Sequence, residues 1–148
     1  MKEVEIIYND GNGHMKIYCD NFFPAPQGKL KQLLKIVDMD YKNRDEILKK
    51  FYTHCIDAKL SCDETMSGIR TMYSQKYQKM CDTKRMVDTC KHPSGLPLTK
   101  LELQKAKIEL KDLKQLVREL EQDFKEAKKD SAKLKVNAEI VYQHIEMQ

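Results

Sequence analysis

Four histidines and five cysteines are the residues of this 148-residue chain best suited to bind a metal or move a proton. Their spacing limits what they can do. His14, His54, His92 and His144 are scattered, and no two stand four apart as paired ligands on one helical turn would. Cys90 and His92, with Cys81 upstream, form a C-x-H element that lacks the second pair needed to close a four-ligand site, so no metal is expected. The patterns G-x-x-x-x-G-K-[ST], G-x-G-x-x-G and G-x-S-x-G do not occur. The glycines of NDGNG, residues 9–13, read as turn formers. With no acid, base and nucleophile set to converge, the sequence reads as a non-enzymatic protein without a cofactor.

An odd cysteine count (Cys19, Cys55, Cys62, Cys81, Cys90) and an N-terminus, MKEVEIIYND, with no apolar leader predict reduced, mostly buried thiols and a cytoplasmic setting. No stretch of about 18 apolar residues is present, so no membrane contact is expected. The net charge of +4, from 27 basic and 23 acidic residues, is too balanced to mark a nucleic-acid binder by itself. The lysine-rich KEAKKDSAKLK, residues 125–135, is interrupted by Glu126 and Asp130 and reads as a solvated helix face.

The elements that position these residues follow from periodicity. EVEIIY (3–8) and HMKIYC (14–19) alternate as strands do, and Asp10-Gly11 and Asn12-Gly13 supply the positive-φ residues of a tight turn, so a β-hairpin is predicted. Two strands are marginal alone and must pack on something or gain a strand. DNFFPAPQG (20–28) reads as a connector that opens no helix before about Gln27, its phenylalanines tucked under the hairpin. Leu30, Leu33, Leu34 and Val37 then mark a short amphipathic helix within residues 29–38.

Two long helices follow. Asn43 and Glu46 have the spacing of a capping box, and Leu48, Cys55, Cys62 and Ile69 recur every seven residues with Phe51, Ala58, Thr65 and Met72 between them. Past Gly68 the apolar line moves to Met66, Tyr73, Met80 and Val87, as at a stutter. Thr99 and Glu102 form a second capping-box pattern. The heptad that follows runs Leu103, Ala106, Leu110, Leu113, Val117, Leu120, Phe124, Ala127, Ser131, Leu134, Ala138, Val141 and Ile145, with Ser131 its only polar member. Between the helices, KHPSGLPLT (91–99) must reverse the chain.

The expected fold is therefore mainly α: an N-terminal β-hairpin plus short helix (1–42) attached to a long antiparallel two-helix coiled coil (43–148) with its tip at 92–98. Tyr52, Tyr73, Tyr77, Met66, Met72, Met80 and Met86 span more of the first long helix than one partner helix covers, which suits an adaptable protein interface or a homodimer through the helical arm. The residues expected to bind a larger protein partner are Tyr52, Tyr73, Tyr77 and Met80 on the helix flank, Leu96 and Leu98 at the tip, and Asn12 and His14 at the hairpin, whose open edge can add to a partner sheet. The rival reading is an accessory nucleic-acid binder using Lys79, Lys84, Arg85 and Lys91.

The opening MKEVEIIYNDGNGHMKIYCDNFFPAPQGKLKQLLKIVD, with the later P-SG-LPLTK turn, resembles small uncharacterised proteins carried on phages and conjugative elements of gut Firmicutes. The likeness covers about the first forty residues and the tip, and brings no catalytic motif. It implies a non-enzymatic inhibitor of host defence, anti-CRISPR-like, acting in the cytoplasm of a bacterial host cell, whose partner would be a defence nuclease such as a CRISPR effector. For the rival reading it implies a nucleic-acid binder in plasmid transfer or replication.

Overall fold

The computed structural model describes residues 6–9, 14–17, 19–39 and 43–147, with side chains from residue 19 onward. The chain is mainly helical, and two long helices pack against each other. Strand β1 (Ile6–Asn9) pairs antiparallel with β2 (His14–Ile17), Ile6 opposite Ile17 and Asn9 opposite His14. The Asp10–Gly13 turn predicted between them lies outside the described residues. One helical turn, α1 (Cys19–Phe22), follows, then α2 (Gln27–Asp38), α3 (Arg44–Thr89) and α4 (Lys100–Glu146).

The chain divides into two compact units, one of residues 1–64 with 128–148 and one of residues 65–127. In the first, the apolar stripe of α2 (Leu30, Leu33, Leu34, Val37) is buried to the last member, against Leu48, Phe51 and Cys55 of α3 and Leu134, Ala138 and Val141 of α4. The phenylalanine connector departs from expectation. Cys19–Phe22 does form a helical turn, because the prolines act only from Pro24 onward. Phe23 packs edge-on to Phe51 of α3 at 5.5 Å between ring centres, where it reaches the main core.

Polar groups fasten this core. The Asn137 amide, 1% exposed, accepts the Ala25 N–H at 2.8 Å and donates to the Ala25 carbonyl at 2.9 Å, so a side chain of α4 satisfies backbone that no strand pairs. Ser131, the one polar seam residue, is buried and donates to Asp63 Oδ1 at 2.8 Å, while Lys59 Nζ holds Oδ2 at 2.7 Å. That pairing exists in one register only, which makes it a device for alignment as well as stability. It also holds the Asp63 carboxyl below its ordinary range, Lys59 contributing most and Ser131 next.

Every member of the α4 heptad is buried or half-buried. On α3 from Cys55 onward an inner line of covered positions runs 55, 58, 62, 66, 69, 73, 76, 80, 83 and 87, with half-buried 56, 59, 63, 81 and 86 beside it. Two consecutive steps of four, from Ala58 through Cys62 to Met66, shift the phase and leave Thr65 and Met72 exposed, against the expectation that they continue the inner line. Antiparallel pairing is visible within each unit: Tyr52 meets Tyr142 and Asp63 meets Ser131 in the first, Tyr73 meets Glu121 and Lys79 meets Glu109 in the second.

Helix α3 starts where Asn43 predicted, the Ile47 N–H donating to the Asn43 carbonyl at 2.9 Å, although Glu46 turns to Lys50 at 3.3 Å. At the start of α4 the capping box is complete. Glu102 N–H donates to Thr99 Oγ1 at 3.2 Å and Thr99 N–H donates to Glu102 Oε1 at 3.1 Å.

Candidate functional site

The second unit carries most of the described residues that the sequence marks for contact. Its reversal is a miniature β-turn. Cys90 ends α3 at φ 56°, Leu98 N–H returns to the Cys90 carbonyl at 2.9 Å, and Lys91 bridges Pro97. Inside that bridge, Pro93-Ser94-Gly95 is a three-residue loop in which Gly95 N–H bonds the His92 carbonyl at 2.8 Å and Gly95 takes φ 93°. Proline fits the second position of such a turn and only glycine takes the left-handed one without strain. His92 Nε2 lies 2.8 Å from Glu102 Oε2, tying the turn to the α4 cap. Hydrogen bonds from Thr99, with His92 beside it, hold the Glu102 carboxyl below its usual range. Leu96 stands 65% exposed on this rigid loop, whereas Leu98 is half-buried.

Along the flank of the same unit, Ile69 and Tyr73 of α3 face Leu120 and Phe124 of α4 across an open groove of about 520 Å³. Tyr77 stacks on Tyr73 with ring centres 5.7 Å apart and planes 16° from parallel, extending the aromatic wall one turn. Tyr73 donates its hydroxyl to Glu121 at 3.1 Å, a bond that raises the phenol above its ordinary range. Arg70 lies over the Phe124 ring at 5.2 Å, an arrangement of cation on aromatic face. Ser74 and Lys125 complete the rim. Tyr77 and Met72 are nearly half exposed, while Met66, Met80 and Met86 are half-buried.

The remaining predicted positions fall elsewhere. Tyr52 belongs to the first unit, where its ring meets Tyr142 at 5.7 Å beside Ile56 and Leu60. Asn12 lies outside the described residues, and His14 opens β2. Of the four cations named for nucleic acid, Lys79 is committed to Glu109 at 3.1 Å, whereas Lys84, Arg85 and Lys91 meet no carboxylate among the described residues. Sequence reading missed Arg70, Glu121 and Phe124 as parts of the groove, although the rows Ile69/Tyr73/Tyr77 and Leu120/Phe124 at four-residue spacing are visible in it.

The chemistry-bearing side chains of the first unit are engaged structurally. Asp38 at the end of α2 accepts from Arg44 Nε at 2.7 Å and lies 2.9 and 3.0 Å from His144 Nε2, tying the C-terminus of α2 to both long helices. Burial raises the Asp38 carboxyl, but the bonds from His144 and Arg44 outweigh it and leave it below its ordinary value. His54, 7% exposed, packs its ring against Phe23 with Asp20 3.8 Å from Nδ1. Cys19 and Cys55 are buried, Cys62 and Cys81 half-buried and Cys90 exposed, so the expectation of mostly buried thiols holds for the core pair only. Burial pushes the Cys55 thiol up to about 12, far from a reactive thiolate. Among the described residues no group of three histidine, cysteine or acidic side chains is placed to hold a metal ion. No described helix is long and apolar enough to cross a membrane.

Comparison of the chain with protein-family models, with curated proteins and with solved structures finds no match.

Proposed function

We propose that the chain is a non-enzymatic binding protein that engages a larger protein through its second unit, with the Tyr73–Tyr77 flank as the central contact and Leu96 at the tip as a secondary one. The observation that carries this reading is the stacked tyrosine pair, which stands half open beside an apolar groove instead of being roofed by a third helix. Tyrosine supplies large contact area at small entropic cost, and exposed aromatic groups at the centre of a patch are where interface energy concentrates. The titratable groups of the first unit add support, since Asp38, Arg44, His144 and Asp63 are committed to one another and to Lys59 and Ser131. The resemblance of the N-terminal segment and tip to mobile-element proteins directs the reading toward an inhibitor that occludes a host defence nuclease, a CRISPR effector being the most specific candidate.

The test is a pull-down from bacterial host lysate with the full chain, run before and after nuclease digestion, with Tyr77→Ala/Leu96→Ala alongside. Retention of a protein partner after digestion, lost with the double variant, is the expected result. Recovery of nucleic acid alone, or loss of every protein on digestion, would favour the second reading, which rests on Lys84, Arg85 and Lys91 being without carboxylate partners among the described residues. Binding of that kind also falls steeply with salt, whereas an apolar protein contact does not.

A further inference from the structure

The groove between Tyr73 and Phe124 has features that identify its occupant, and the inference rests on the protein-binding reading above. We infer that it takes an acidic amphipathic helix of a partner protein, laid along the two helices with its apolar stripe on the partly exposed Ile69, Tyr73 and Phe124, over the buried Leu120, and its carboxylates on Arg70 and Lys125.

Three observations lead there. The first concerns backbone. Both walls are helix interiors whose N–H and C=O groups are bonded within α3 and α4, so an extended peptide would find no edge to pair with and would leave its own backbone groups unmet. A helix brings its backbone already satisfied. The second concerns shape. Ile69, Tyr73 and Tyr77 form one row at four-residue spacing and Leu120 with Phe124 a second, and the furrow between two such rows accepts the ridge of a third helix. The third concerns charge. Three charged side chains line the groove, and Glu121 already receives the Tyr73 hydroxyl. Arg70 has only the Phe124 ring, and Lys125 pairs with nothing among the described residues. Two cations flanking apolar walls call for carboxylates spaced beside an apolar stripe. A second copy of this chain suits the groove less well, since residues 44–98 carry 10 basic against 7 acidic side chains.

Display of a library of random peptides of about 20 residues, long enough for a stable helix on docking, tests this against the full-length chain. The expected outcome is enrichment of sequences with excess Asp and Glu and apolar residues at helical spacing. Synthetic copies should gain helical circular dichroism on binding and lose about tenfold or more in affinity against Arg70→Glu/Lys125→Glu. Tyr77→Ala, which leaves the charges in place, should weaken all of them. Enrichment of basic or uncharged peptides, no enrichment, competition by a dT20 oligonucleotide, or occupation of the groove by a second copy in sedimentation would each overturn the inference. If Arg70→Glu/Lys125→Glu still captures the same protein in the pull-down, the inference fails while the protein-binding reading stands. If neither chain captures any protein, that reading fails first.

Discussion

The two units are built from the same pair of helices and differ in what covers them. In the first, α2 and the Phe23 segment close over α3 and α4, so Phe51, Leu48 and Cys55 are sealed from solvent. In the second, the buried apolar side chains are Ala106, Leu113, Val117 and Leu120, a single stripe, and Tyr77, Met72, Leu96, Leu101 and Ile108 remain open. A helix pair buries only the seam where it meets, and a third element is needed to cover the flanks. Among the described residues, α2 and the Phe23 segment supply that cover to the first unit. Stability is thereby concentrated in one unit and available surface in the other, an allocation that sets what mutations should do.

The largest effect is expected from Phe51→Ala, which empties the centre of the first unit and should cost about 3–5 kcal/mol; Leu113→Ala, in the thinner seam of the second, should cost about 2–3 kcal/mol. Denaturant titration of both variants measures the ordering, and a reversed order would break the contrast between the units. Asp38→Asn should cost about 1 kcal/mol, since it removes the carboxylate that Arg44 Nε meets at 2.7 Å while Arg44 keeps Asp45 at 3.1 Å. Because the folded Asp38 carboxyl lies below its ordinary 3.8, its contribution is complete above that value and disappears as pH falls through the lower folded one. Acid unfolding of the parent should therefore steepen below pH 3.8, and Asp38→Asn should flatten that limb, leaving the parts due to Asp63 and Glu102, whose carboxyls are also held below their ordinary range. Gly95→Ala should cost about 1 kcal/mol, since a side chain there meets no neighbour and the penalty is the φ of 93° alone. Tyr77→Ala should change stability by less than about 0.5 kcal/mol and still weaken partner capture, the sharpest separation of surface from scaffold.

Much of the helical architecture is legible in the residues. The α2 stripe, the α4 seam and the Thr99/Glu102 cap all follow from spacing, because periodic burial and local capping are properties of neighbouring residues. What spacing conceals is polar and distant. Asn137 reaches Ala25 across 112 positions, and Asp38 reaches His144 across 106. No local pattern announces either bond. The groove was half legible: its apolar rows belong to the seam, but Arg70 over Phe124 depends on the pairing of two helices that periodicity leaves free to slide. The change in phase at Cys62–Met66 was visible as a drift, though its inner line was drawn one position off at Thr65 and Met72.

The bond between Asn137 and Ala25 carries a consequence for synthesis. Ala25 leaves the ribosome more than a hundred residues ahead of its partner, so Phe23 and the leucines of α2 can meet Leu48, Phe51 and Cys55 of α3 early, but their core stays open on the α4 side until the end of α4 emerges. Residues 65–127 are contiguous and can zip as they are translated. The nascent chain should thus complete its middle before its ends, and arrest near residue 127 should yield an intermediate that chaperones recognise by the apolar surface of α2 and α3 that Leu134, Ala138 and Val141 later cover.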